Sequence, residues 1–128
     1  MEYKATAKYI HMSPRKLRLM ADSIRGMGVL EALAGLDAAP QRAGKPLAVL
    51  IRSAVANATV KNAKVGPLVI FKLEVDGGPA LKRWHAVSKG SAHAYKKRMS
   101  HINIILTDDN KKMKAVVEKG VKEMPNDK

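Results

Sequence analysis

Six cations, Lys82, Arg83, Lys89, Lys96, Lys97 and Arg98, fall within residues 81–101, and no carboxylate interrupts the chain between Asp76 and Asp108. Lys and Arg without interspersed acids do one kind of chemistry well: they hold phosphates by charge and donated hydrogen bonds. The bland reading of a charge run is a solvated face of mixed sign, and this stretch lacks the second sign. Trp84, the single Trp of the chain, and Tyr95 lie in the same segment. Set roughly opposite each other, they form either a cross-strand pair that stiffens a ribbon or a platform for an unpaired base or sugar. The two readings are compatible. Other chemistry is sparse. His11, His85, His93 and His101 share no metal-ligand spacing, and Asp108-Asp109 reads as the cap of a tail helix rather than a magnesium site. No Ser/His/Asp order, P-loop or G-x-G-x-x-G is present. Nothing points to an enzyme or to a cofactor.

The rest of the chain sets the scale for that segment. It has 128 residues, 24 Lys+Arg against 11 Asp+Glu and a formal net charge of +13. That excess exceeds what a small domain needs for solubility, so it implies a polyanionic partner. With 46% hydrophobic residues the chain can bury a core, unlike a disordered basic tail. Absence of cysteine excludes disulfides, thiolate zinc sites and thiol catalysis, and fits a reducing compartment. Met1-Glu2-Tyr3-Lys4 has no apolar signal region, and no apolar run approaches the ~20 residues of a membrane span. A soluble, intracellular protein is expected.

Several elements must position the cationic segment. Tyr3 to Ile10 alternates loosely and reads as a strand. Ser13-Pro14 starts a helix, with Leu17, Met20, Ala21 and Ile24 as its apolar stripe and Gly26 as its stop. A second helix covers Val29 to Ala38, with Val29, Leu33 and Leu36 inward. A third runs from about Lys45 to Val60, on a stripe of Leu47, Leu50, Ile51, Ala54 and Ala58. Residues 68–76 and 102–107 read as strands. The class is α+β: three helices packed on a small antiparallel sheet, with a long protruding β-hairpin.

That hairpin occupies about residues 78–101, with Gly78-Pro79 as a turn and a tip at Lys89-Gly90-Ser91. Strand alternation puts Leu81, Arg83 and His85 on one side and Lys82, Trp84 and Ala86 on the other, so cations occupy both faces. Such a ribbon cannot bury a face against its own core and is marginal alone. Arms of about ten to twelve residues would project roughly 35 Å. Insertion between nucleic-acid segments suits it.

The chain resembles the bacterial type of large-subunit ribosomal protein twenty-two. Three stretches carry the resemblance: Ser13-Pro14-Arg15-Lys16-Leu17-Arg18 followed by Asp22-Ser23-Ile24-Arg25-Gly26; Ser53-Ala54-Val55-Ala56-Asn57-Ala58; and the arm's two ends, Gly78-Pro79-Ala80-Leu81-Lys82-Arg83 and Lys97-Arg98-Met99-Ser100-His101-Ile102. The resemblance implies a domain over residues 1–108 that binds large-subunit rRNA, acts early in assembly and threads its hairpin to the nascent-peptide exit tunnel. Arg15, Lys16, Arg18 and Arg25 would face rRNA from the first helix, and Lys82, Arg83, Lys97, Arg98 and His101 from the arm's base. Trp84, Lys89, Tyr95 and Lys96 would join them, and Ser88, Lys89, Gly90 and Ser91 would form the tip at the tunnel. Implied partners are rRNA, neighbouring large-subunit proteins including protein four at the constriction, and the nascent peptide. Neither a membrane nor a second copy of the chain is expected, and the location is the cytoplasm. At the tip the family usually has Pro-Arg-Ala-Lys/Arg-Gly-Arg-Ala. This chain has Ala86-Val87-Ser88-Lys89-Gly90-Ser91-Ala92, then His93-Ala94 in place of Asp-Arg. Residues 109–128 form a charged extension outside the resemblance, with a helix expected at 111–119. The alternative is a nucleoid-type DNA-binding protein using its basic β-ribbon in a minor groove. That would require a dimer and a wedge residue at the tip, where Ala86 stands.

Overall fold

A computed structural model describes residues 1–108, and the expected tail helix lies outside these described residues. Along the chain run β1 (Glu2–Ile10), α1 (Pro14–Ile24), α2 (Val29–Ala38), α3 (Gly44–Val60), β2 (Val69–Ala86) and β3 (Ala92–Thr107). The strands form one antiparallel sheet in the order β1-β3-β2. No described helix is long and apolar enough to cross a membrane.

Period-two alternation builds the core. Tyr3 pairs with Leu106, which pairs with Ile70; Ala5 with Ile104 and Leu73; Ala7 with Ile102 and Val75. These rows point at the helices, and all but the half-buried Ala7 are buried. Leu17, Ala21 and Ile24 of α1, Val29, Ala32 and Leu36 of α2, and Leu47, Leu50, Ile51, Ala54 and Ala58 of α3 complete the cluster. Met20 and Leu33 flank the core half-buried rather than inside it. The small residues of α3 allow close approach, and Gly44 is the tightest case. A Cβ there would lie 2.9 Å from the Leu36 carbonyl oxygen, so a side chain would force α2 and α3 apart.

Both sheet edges are occupied near the core, which removes the hazard of open strand edges. On β2, the Gly26 and Val29 amides donate to the Ile70 and Leu68 carbonyls, and the Ile70 amide donates to Met27. Further along, the Arg25 guanidinium donates to the Leu73 carbonyl at 3.1 Å, and Arg18 donates twice to the Val75 carbonyl at 3.1 and 3.0 Å. On β1, Asn57 of α3 donates to the Lys4 carbonyl at 3.0 Å.

Gly78-Pro79 is not a turn, because β2 runs unbroken through it. Gly77 pairs with Ser100 and Ala80 with Arg98, leaving Gly78 and Pro79 opposite Met99 as a bulge. Proline fits here because a bulge residue has no ladder partner to lose. Glycine fits because a Cβ at position 78 would sit 3.2 Å from the Met99 backbone and 3.3 Å from the His101 ring.

Candidate nucleic-acid interface

β1 leaves β3 at Ser100, and beyond that point β2 and β3 continue alone. The paired stretch from Ala80↔Arg98 to Ala86↔Ala92 spans about 20 Å at ~3.3 Å per residue. This is shorter than the arms expected from sequence. Met99 and Ser100 are buried in the base, where the Ser100 hydroxyl donates to the Met12 carbonyl at 2.6 Å, and the tip takes up Val87 to Ser91. None of the side chains from Ala80 to Arg98 is buried.

The tip is a tight turn. The Val87 amide donates to the Ser91 carbonyl at 3.0 Å, and the Ser91 hydroxyl returns to the Ser88 carbonyl at 2.9 Å. Lys89 and Gly90 both adopt positive φ, 57° and 72°, a backbone region natural for glycine and costly for lysine. Lys89 is thereby presented at the apex, fully outside the fold.

Centring the loop on Lys89 fixes the register, and it corrects one expectation. Trp84 lies opposite Ala94, and Tyr95 lies opposite Arg83, so the two rings project from opposite faces. Tyr95 stacks on His85, with centroids 3.9 Å apart and planes 13° apart. Among the described residues no other ring packs against Trp84, which is 69% exposed. Cations do occupy both faces: Lys82, Lys96 and Arg98 with Trp84, and Arg83 and Lys97 with Tyr95. Lys82 and Lys96 are direct cross-strand neighbours, an arrangement of like charges that weakens a ribbon.

The ribbon's base meets the first helix. A cavity of about 550 Å³ is lined by Ser13, Lys16 and the apolar Met12, Leu19 and Met20 on one side, by Gln41 and Arg42, and by Lys96 and Arg98 from β3. Four cations from three separate segments thus converge, and no carboxylate among the described residues lines the space. Arg42 is a site residue that the sequence motifs do not single out. A signal for it exists nonetheless: from residue 38 to residue 73 the chain carries six cations and no acid.

The other expected contacts divide by role. Arg15 and Lys16 are exposed on the first turn of α1. Arg18 and Arg25 spend donors on β2 carbonyls, and Arg25 also pairs with Asp22 at 2.9 Å. His101 is half-buried; its Nδ1 accepts from the Tyr9 amide at 3.0 Å and its ring meets Tyr9 edge-on. That contact anchors Tyr9, whose φ of 58° marks the bulge in β1. Beyond the arm, the N-terminal ammonium donates to Asp108 and holds its carboxyl below the usual carboxylate range, assisted by the Tyr3 hydroxyl at 3.2 Å. Asp108 thus ties the end of β3 to Met1 and Tyr3, and the tail helix that Asp108-Asp109 is expected to cap lies outside the described residues.

Comparison with known proteins places this geometry in context. Residues 5–107 match the family described as ribosomal protein L22p/L17e. The large ribosomal subunit protein uL22 of Syntrophus aciditrophicus (strain SB) is 46% identical over 110 residues, which cover 84% of this chain and 99% of that protein. Its counterpart in Geobacter sulfurreducens is 43% identical over 109 residues, covering 84% and 98%. The one in Desulfotalea psychrophila is 44% identical over 111 residues, covering 86% and 100%.

Proposed function

The chain belongs to the ribosomal protein L22p/L17e family, and we propose that it works in the large ribosomal subunit by gripping rRNA with its ribbon and the cleft at the ribbon's base. Its role is structural and non-enzymatic, in the cytoplasm, and the large subunit is the setting that the names of its relatives print. One observation carries the finer reading: a ribbon with cations on both faces and every side chain outside the core continues the sheet away from the globular body. Phosphates on both sides would neutralise it, and recognition would rest on the shape of folded RNA more than on base sequence.

Lys16, Arg42, Lys96 and Arg98 form the anchoring cluster of this reading, with Arg15, Arg83 and Lys97 as flanking contacts. Arg18, Arg25 and His101 act mainly by holding the ribbon's base in place. The tip, Ser88 to Ser91, lines the exit tunnel beside protein four and meets the nascent peptide. A single lysine there, without the family's usual arginines, makes a less cationic wall. Binding several rRNA segments at once supports assembly of the subunit. The globular unit is 1–108, with 109–128 as an extension.

Sedimentation tests the reading. The protein should co-migrate with large subunits through a high-salt wash; recovery in the free fraction or on DNA overturns it. Replacing residues 84–94 by an Asn-Gly turn between Arg83 and Tyr95 should preserve the far-UV circular dichroism of the globular part and its association with the subunit. Loss of folding would refute the separation of ribbon from core.

A further inference from the structure

The two faces of the ribbon are unequal. On one, Tyr95 is already stacked on His85, and the His85 and His93 rungs face each other directly. On the other, Trp84 stands opposite the small Ala94, which leaves the indole open, and a cavity of about 640 Å³ beside it is lined by Lys82, Trp84, Ala94, Tyr95, Lys96 and Arg98. We propose that Trp84 is the stacking platform for one unpaired rRNA nucleobase, with the flanking phosphates held by Lys82, Lys96 and Arg98. This deepens the rRNA-binding reading and rests on it.

Two features of that face are unfavourable in the free protein, and one ligand resolves both. An indole 69% exposed keeps a large apolar surface in water. Lys82 and Lys96 repel each other across the strands, and no carboxylate exists between Asp76 and Asp108 to separate them. An apolar protein segment would cover the indole and bury the cations unpaired. A phosphate alone would neutralise the cations and leave the indole wet. A nucleotide carries a flat π-face and an anion on one unit, and this face presents an open indole among cations. Ala94 supplies the clearance: a large residue opposite Trp84 would pack over the ring. The space beside it lies within the size range of small-ligand pockets. Recognition of this kind tolerates any base, because every base has a π-face.

Trp84 is the chain's single Trp, so its emission reports on this site alone. The full chain is titrated with a transcript of large-subunit rRNA, and filter retention and Trp emission are read on the same samples. Emission should quench and saturate in step with retention. Trp84→Ala should weaken binding about tenfold and Trp84→Phe about two- to threefold, within the range that base–aromatic stacking supplies, with unchanged circular dichroism for both. Retention with unquenched emission, or wild-type affinity in Trp84→Ala, overturns the platform and leaves rRNA binding standing. Failure of the transcript to be retained at all overturns the rRNA reading, and the platform with it.

Discussion

β2 and β3 are the same pair of strands in two different environments. Near the core, Ile70↔Leu106, Leu73↔Ile104 and Val75↔Ile102 are buried under the helices. Further out, the rungs from Lys82↔Lys96 to Ala86↔Ala92 are exposed on both faces. The antiparallel pairing continues through the bulge at Gly78-Pro79, so backbone pairing does not distinguish the two halves. Burial does. An isolated two-stranded ribbon is marginal in water; this one inherits its register from the core and leaves its side chains free for a partner. The cations divide in the same way. Arg18 and Arg25 donate to β2 carbonyls, whereas no carboxylate among the described residues pairs with Lys82, Lys96 or Arg98.

The largest expected effect breaks or upholds this division directly. Ile104 is 1% exposed and lies between Ala5 and Leu73 in the middle strand. Ile104→Ala should cost about 3 kcal/mol, combining lost burial with a cavity the sheet cannot close. Val87→Ala, a smaller apolar cut at the ribbon's tip, should change stability by no more than about 0.5 kcal/mol. Urea unfolding followed by circular dichroism measures both. Comparable losses would mean that the ribbon and core share one cooperative packing unit.

Most of the near half was legible in the sequence because its signals are local. Ser13-Pro14 opens α1, Val29–Ala38 is helical over the expected span, and Tyr3, Ala5, Ile102, Ile104 and Leu106 alternate as buried strands do. The basic character of the far half was legible for the same reason: six cations and no acid need no structure to count. Misplaced features depended on register and tertiary approach. Whether Trp84 faces Tyr95 turns on whether the loop is centred on Lys89 or midway between Lys89 and Gly90, a shift too small for propensity to resolve. Gly78-Pro79 has the composition of a turn, and only the partner strand makes it a bulge. Arg42 joins Lys96 through the chain's path between α2 and α3. The role of Arg18 was hidden because a guanidinium aimed at a carbonyl looks, in sequence, like one aimed at a phosphate.

Arg18 therefore sharpens the comparison. Arg18→Ala removes both hydrogen bonds to the Val75 carbonyl and should cost about 1 kcal/mol of stability. Arg15→Ala, three residues earlier on the exposed first turn of α1, should leave stability within about 0.5 kcal/mol and weaken rRNA retention instead. The two readouts should cross. If Arg18→Ala left unfolding unchanged and lowered rRNA affinity as much as Arg15→Ala, the α1 arginines would form one RNA-facing set.

The smallest effect is the most pointed, because its sign should oppose itself between folding and binding. Lys96→Glu places a carboxylate directly opposite Lys82 and turns a repulsive cross-strand pair into an attractive one. Such pairs contribute roughly 0.2–1 kcal/mol, so hydrogen exchange of the ribbon amides around Lys82 should slow about twofold, most clearly at low salt. The same substitution removes one phosphate-binding cation from both the cleft at the base and the Trp84 face. Affinity for rRNA should fall, and the dependence of log K on log salt should flatten by ~0.7–0.9 for each phosphate the variant no longer neutralises. Better folding with poorer binding would mean that Lys96 serves the partner at the expense of the ribbon. If exchange slowed while affinity and salt dependence held steady, Lys96 would belong to an ordinary solvated surface, and the far half of the strand pair would lose its claim to a separate role.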